Sequence, residues 1–135
     1  MYSVNKITTV ADADLLLTWA ASEKADLDFK KLSETRLTTN YGNSSLSIDS
    51  ELQAVLAEIA TSETIIATLP AGARKEVEIV KKTKLEYKKF LLENRKESYG
   101  IVALLEKEVD LARVTDELTQ VETFITAVTA RKAAL

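Results

Sequence analysis

Nine basic residues fall between positions 74 and 98, and eight of them form two columns at seven-residue spacing. One column is Arg74, Lys81, Lys88 and Arg95; the other is Lys75, Lys82, Lys89 and Lys96. Seven residues is close to two helical turns, so each column follows one line along a helix. If Val77, Val80, Tyr87, Phe90 and Leu91 form that helix's buried seam, both columns lie beside or opposite it as one basic stripe. Such a stripe suits an anionic partner: a phosphate backbone, lipid headgroups or an acidic protein face. It equally suits a solvated face that keeps the domain soluble. A seam position directs Tyr87 inward, which argues against base stacking, and a net charge of -3 creates no general attraction to nucleic acid. Nucleic acid is therefore not the expected partner. Membrane-surface binding would need a large exposed apolar face.

Other chemistry is missing at the level of residue type. The chain has no Cys and no His. That removes thiol nucleophiles, disulfides, Cys-based zinc sites, and the commonest general base and metal ligand. No Ser or Thr has a His partner for a conventional triad, and a ferritin-like bundle site needs Glu-x-x-His pairs. Glu58 with Glu63, and Glu117 with Glu122, stand five residues apart, so on a helix each pair diverges by about 140°. Asp12/Asp14 and Asp26/Asp28 are two apart and also diverge. No phosphate loop, dinucleotide fingerprint or calcium loop occurs. The expectation is a protein that is not an enzyme and takes no metal or cofactor. Trp19 is expected to be a packing or interface anchor.

The elements that would carry these residues are helical. With 3 Gly and 1 Pro in 135 residues, an all-β fold lacks turn chemistry. A hydrophobic content of 46% supports a folded core in a single domain, 1–135. Thr9-Val10-Ala11-Asp12 fits a helix cap, opening a first helix over about 9–38. Its apolar face is Leu15, Leu16, Trp19, Ser22, Ala25, Phe29 and Leu32. Caps and turn formers from Thr38 to Ser45 predict a break. A second helix begins near Ser47, with Leu52, Val55, Ile59, Ser62, Ile66 and Leu69 alternating at three and four. Leu69-Pro70-Ala71-Gly72 is the clearest stop. A third helix covers about 71–98. The last, about 101–134, carries a heptad seam, Leu111, Val114, Leu118, Val121, Ile125 and Val128, for packing or for an oligomer interface. Gly100 either ends a helix in the left-handed conformation or interrupts a continuous one. A one-residue slip of the seam across it favours a break.

A repeat runs through this pattern. Leu27-Asp28-Phe29-Lys30-Lys31-Leu32 matches Leu85-Glu86-Tyr87-Lys88-Lys89-Phe90 at an offset of 58, and Tyr41-Gly42 matches Tyr99-Gly100. Leu52, Val55, Glu58 and Ile66 match Leu111, Val114, Glu117 and Ile125 at 59. The pattern suggests duplication of a helix-break-helix unit, about 9–69 and 71–135. Folding the chain at Pro70 pairs positions that sum to about 140. It also faces the basic helix 74–98 with a segment, 38–73, that holds four acids and no Lys or Arg. Two all-α architectures follow: antiparallel hairpins in a four-helix bundle, or a long two-stranded antiparallel coiled-coil rod that oligomerises. Either points to a structural or interaction protein, as a homo-oligomer or a subunit of a larger assembly. The alternative is a binding module that uses the basic stripe. No membrane span or export signal is evident, so the expected location is cytoplasmic.

Overall fold

The computed structural model describes all residues, Met1–Leu135. The chain is all-helical, with 90% of residues in helix and no strand. A short 3-10 turn, Val4–Lys6, precedes α1 (Val10–Thr68), α2 (Ala73–Tyr99) and α3 (Ile101–Ala133). Thr9 caps α1 as its pattern predicts, its hydroxyl accepting from the Asp12 N–H at 3.2 Å.

The expected break at 38–46 is not there: α1 runs through Thr38, Tyr41, Gly42 and Ser45 without interruption. Each weak helix former costs only about 0.5–1 kcal/mol. The helix is already nucleated on both sides, and the packing of Tyr41, Ser45 and Ile48 outweighs that deficit. The Thr38 hydroxyl donates back to the Glu34 carbonyl at 2.8 Å, so it does not compete with the helix.

The chain divides into two compact units, residues 1–38 with 107–135, and residues 39–106. These boundaries differ from the halves 9–69 and 71–135 of the sequence repeat.

In the first unit, α1 and α3 run antiparallel. Asp14 pairs with Lys132, Lys24 with Glu122 at 3.9 Å, and the Thr38 hydroxyl donates to the Lys107 carbonyl at 3.4 Å. Ala13, Ala20, Val114, Leu118 and Val128 are buried between them. The N-terminal lead-in is tied to α3. Tyr2 donates to Gln120 Oε1 at 3.0 Å, its ring meets Phe124 edge-on at 5.1 Å, and Arg131 donates to the Ile7 carbonyl at 3.0 Å.

In the second unit, α1 and α2 form a hairpin closed by Leu69–Gly72. Gly72 has φ 154°, a backbone conformation nearly reserved for glycine. Glu63 meets Lys82 at 3.3 Å and Asp49 meets Lys96 at 3.6 Å, so facing positions sum to 145 rather than about 140. The core is Ile48, Leu52, Val55 and Leu92, with Ile59 packed against it. Buried or half-buried α1 residues recur at 41, 45, 48, 52, 55, 59, 62 and 66, a strict heptad seam that includes the expected Leu52–Ile66 series.

A single residue, Gly100, separates α2 from α3. Its φ of -82° is not left-handed. The need for glycine is steric: a Cβ here would lie 2.3 Å from the Lys96 carbonyl oxygen, which accepts the Gly100 N–H at 2.8 Å.

Candidate interaction surface

The helix phase set in α1 decides which side chains remain outside. Extending the seam of 52–66 backwards by heptads gives 45, 38, 31, 24 and 17, and 48, 41, 34, 27, 20 and 13. All of these are buried or half-buried. Lys24, Lys31, Glu34 and Thr38 thus lie on the α3-facing side of α1, with their aliphatic parts covered. The face expected to be core does not. Leu16 is half-buried, but Leu15 (70% exposed), Trp19, Ser22, Ala25, Phe29 (73%) and Leu32 are exposed. The expectation failed because a break at 38–46 would have let residues 9–38 choose their own face. A continuous helix carries the phase of 52–69 with it.

The same reversal holds in α2. Its side toward α1 carries Lys75, Glu78, Lys82, Leu85, Lys89 and Leu92, which are buried or half-buried. Val77 (68% exposed), Val80, Tyr87 (63%), Phe90 and Leu91, expected as the seam, are exposed on the opposite side. Charge is matched on the face that turns inward. With Leu85 and Leu92 inward, Lys82 and Lys96 reach Glu63 and Asp49. Rotating α2 to bury Tyr87 would separate these half-exposed pairs.

The eight basic residues therefore differ in exposure and pairing along the helix. Lys75, Lys82 and Lys89 are half-buried on the α1 side. Lys82 is held by Glu63 and Glu86, Lys89 by Glu93 at 3.7 Å, and Lys96 by Asp49. Arg74, Lys81, Lys88 and Arg95 are exposed and make no ion pair, and they border the exposed apolar stripe of α2. An open concavity of about 400 Å³ lies along this stripe, lined by Glu76, Val77, Val80, Lys81 and Lys84.

In α3, Val114, Leu118 and Val128 are buried and Leu111, Val121 and Ile125 half-buried, all within the first unit. Trp19 stands at the edge of that unit, edge-on to Phe124 at 5.9 Å and partly exposed. Glu63 and Glu122 each pair with a lysine, and no group of three carboxylates converges. The residues matched at offset 58 sit in like surroundings: Leu27 and Leu85 point inward, Phe29 and Tyr87 outward, Lys31 and Lys89 flank the seam. Tyr41 and Tyr99 pack against each other, ring centroids 5.5 Å apart.

No helix is long and apolar enough to cross a membrane. No protein-family model, curated protein or solved structure matches the chain.

Proposed function

We propose that this chain is a non-enzymatic interaction protein, an antiparallel coiled-coil-like subunit that works within an assembly through protein–protein contacts. The observation that carries the reading is the inverted placement of its apolar residues. The aromatic side chains of α1 before residue 38 and of α2 lie outside, together with Leu15, Leu32, Val77, Val80 and Leu91. Lysine, glutamate, serine and alanine occupy much of the inner seam. Contiguous apolar surface of this extent marks a contact site. Heptad spacing of the inner positions supports coiled-coil pairing, and pairing of outer faces between chains would give a four-helix layer. Sedimentation of the purified protein at about 1–100 μM tests the reading. Concentration-dependent association is expected, and Val77→Ser with Tyr87→Ser should weaken it without loss of helicity. A monomer at every concentration, with no partner captured through these faces, would remove the reading.

A second reading rests on the unpaired column Arg74, Lys81, Lys88 and Arg95, which could hold an anionic polymer or surface. Titration with nucleic acid and anionic vesicles at about 50 mM salt, where screening is weak, tests it.

A further inference from the structure

The two exposed apolar faces differ in the charges around them. On α1, Leu15, Phe29 and Leu32 are bordered by Asp12, Asp26 and Asp28, all exposed and without an ion pair. Between residues 12 and 32 there are five acids and three bases, Lys24, Lys30 and Lys31, of which Lys24 is already paired with Glu122 and Lys31 is half-buried toward α3. On α2, Val77, Val80 and Tyr87 are bordered by Lys81, Lys84 and Lys88, again exposed and without an ion pair. The acids on that helix at 86 and 93 are taken up by Lys82 and Lys89. Each face therefore carries apolar residues and exposed, unpaired charge mainly of one sign, and the main signs are opposite; Lys30 beside Phe29 and Glu76 beside Val77 are the exceptions. A face of either kind would repel its own copy, because unpaired like charges would meet around a desolvated centre.

We infer that the α1 face centred on Ser22 docks on the α2 face centred on Lys84 of a second copy of this chain. The inference rests on the assembly reading above and names the partner of those faces. The lengths agree. Leu15 to Leu32 spans about 26 Å and Val77 to Leu91 about 21 Å at 1.5 Å per residue. The areas agree as well: aromatic side chains bury 150–250 Å² each, so covering both faces removes on the order of 1,000 Å², near the minimum for a specific interface. Because the two faces are different, each copy offers one of each. The contact either closes as a two-fold pair, made twice, or propagates from copy to copy.

The absence of cysteine makes the test direct. Ser22→Cys and Lys84→Cys, both at exposed positions, are made in separate, mass-tagged full-length chains and oxidised mildly, alone and mixed. The mixture is expected to give the Ser22–Lys84 hetero-linked product at least about ten-fold above either homo-linked product. In parallel, Asp12→Lys with Asp26→Lys should abolish self-association, and so should Lys81→Glu with Lys88→Glu. Mixing the two charge-reversed chains should restore association with each other. Homo-linked Ser22→Cys as the main product would overturn the pairing in favour of like-to-like contact. Association of the wild type that is unmoved by either charge reversal would overturn the pairing and leave the assembly reading standing. A wild type that stays monomeric at about 100 μM would overturn both. Capture of nucleic acid by the Arg74 column, with self-association unchanged by Lys81→Glu and Lys88→Glu, would also overturn the pairing.

Discussion

Gly42 and Gly100 match in sequence, each preceded by tyrosine and 58 positions apart, yet their surroundings predict opposite responses to the same substitution. Gly42 lies inside α1, and a Cβ there would meet Leu104 Cδ1 at 3.8 Å, an ordinary contact. Gly42→Ala removes backbone freedom from the unfolded chain and fills no forbidden space, so it should stabilise by about 1 kcal/mol. At about 2.1 cal/mol/K of unfolding entropy per residue, that raises the melting temperature by about 3–4 °C. At Gly100 the new Cβ would fall 2.3 Å from the Lys96 carbonyl oxygen. It must move outward by about 1 Å to reach normal contact, which forces the Gly100–Lys96 hydrogen bond to lengthen or the chain to re-pitch. Overpacking of this kind costs about 1–3 kcal/mol. The two variants should therefore differ by about 2–4 kcal/mol. Urea unfolding followed by far-ultraviolet circular dichroism, at a concentration low enough to avoid association, measures both. Shifts of the same sign and within about 0.5 kcal/mol of each other would show that both glycines occupy equivalent helix-interior sites. The break at Gly100 would then be wrong.

Leu92, 5% exposed in the core of the second unit, should lose about 2–5 kcal/mol on replacement by Ala, while Phe90→Ala should change monomer stability by less than about 0.5 kcal/mol. Equal losses in urea unfolding would mean that α2 presents its other face to α1. Gly72→Ala should destabilise by about 1–3 kcal/mol through its φ of 154° alone, because nothing lies within 4 Å of the new Cβ; a neutral result would mean that the turn relaxes to another conformation. Ser62 buries a hydroxyl with no partner, so Ser62→Ala should stabilise by up to about 1 kcal/mol in the same assay. A loss there would reveal a partner for that hydroxyl.

Much of the fold was legible from composition and spacing. The scarcity of Gly and Pro left helix as the sole class able to use so many Ala, Leu, Glu and Lys. Pro70 and Gly72 marked the turn, Thr9 marked the cap, and the alternation from Leu52 to Ile66 marked the seam that the second unit buries. The faces of residues 15–32 and 77–91 were misread for one reason. Periodicity reports that a stripe is apolar, not which molecule covers it, and a helix with two apolar-bearing faces leaves the choice open. The continuity of α1 had no apolar signature: the inner positions between Ala20 and Ile48 include Lys24, Lys31, Glu34, Thr38 and Ser45, so periodicity could not carry the Leu52 series back across Tyr41-Gly42. The basic columns were misread for the same reason: once Val77 was placed inside, Lys82 and Lys89 had to be placed outside.

The inner seam of α2 bears on why such a sequence would keep its better apolar face exposed. Leu85 and Leu92 supply about 1.5–3 kcal/mol each on burial, and the stems of Lys75, Lys82 and Lys89 add some apolar cover. The exposed ion pairs of Lys82 and Lys96 are worth under about 1 kcal/mol apiece. Turning the opposite side inward would bury Val77, Val80 and Tyr87, a larger apolar area, so burial alone does not favour the observed face. What accompanies it is charge matching, since Lys82 and Lys96 reach Glu63 and Asp49, acids that stay more than half exposed. The charges are thus matched to the observed phase of α2 and add modestly to it. The observed phase leaves Val77, Val80 and Tyr87 exposed beside the unpaired Lys81 and Lys88, a surface that an acid-bordered apolar face would complement. On the proposed reading that face is Leu15–Leu32 of the next copy, and the polar inner seam and the apolar exterior are parts of one design.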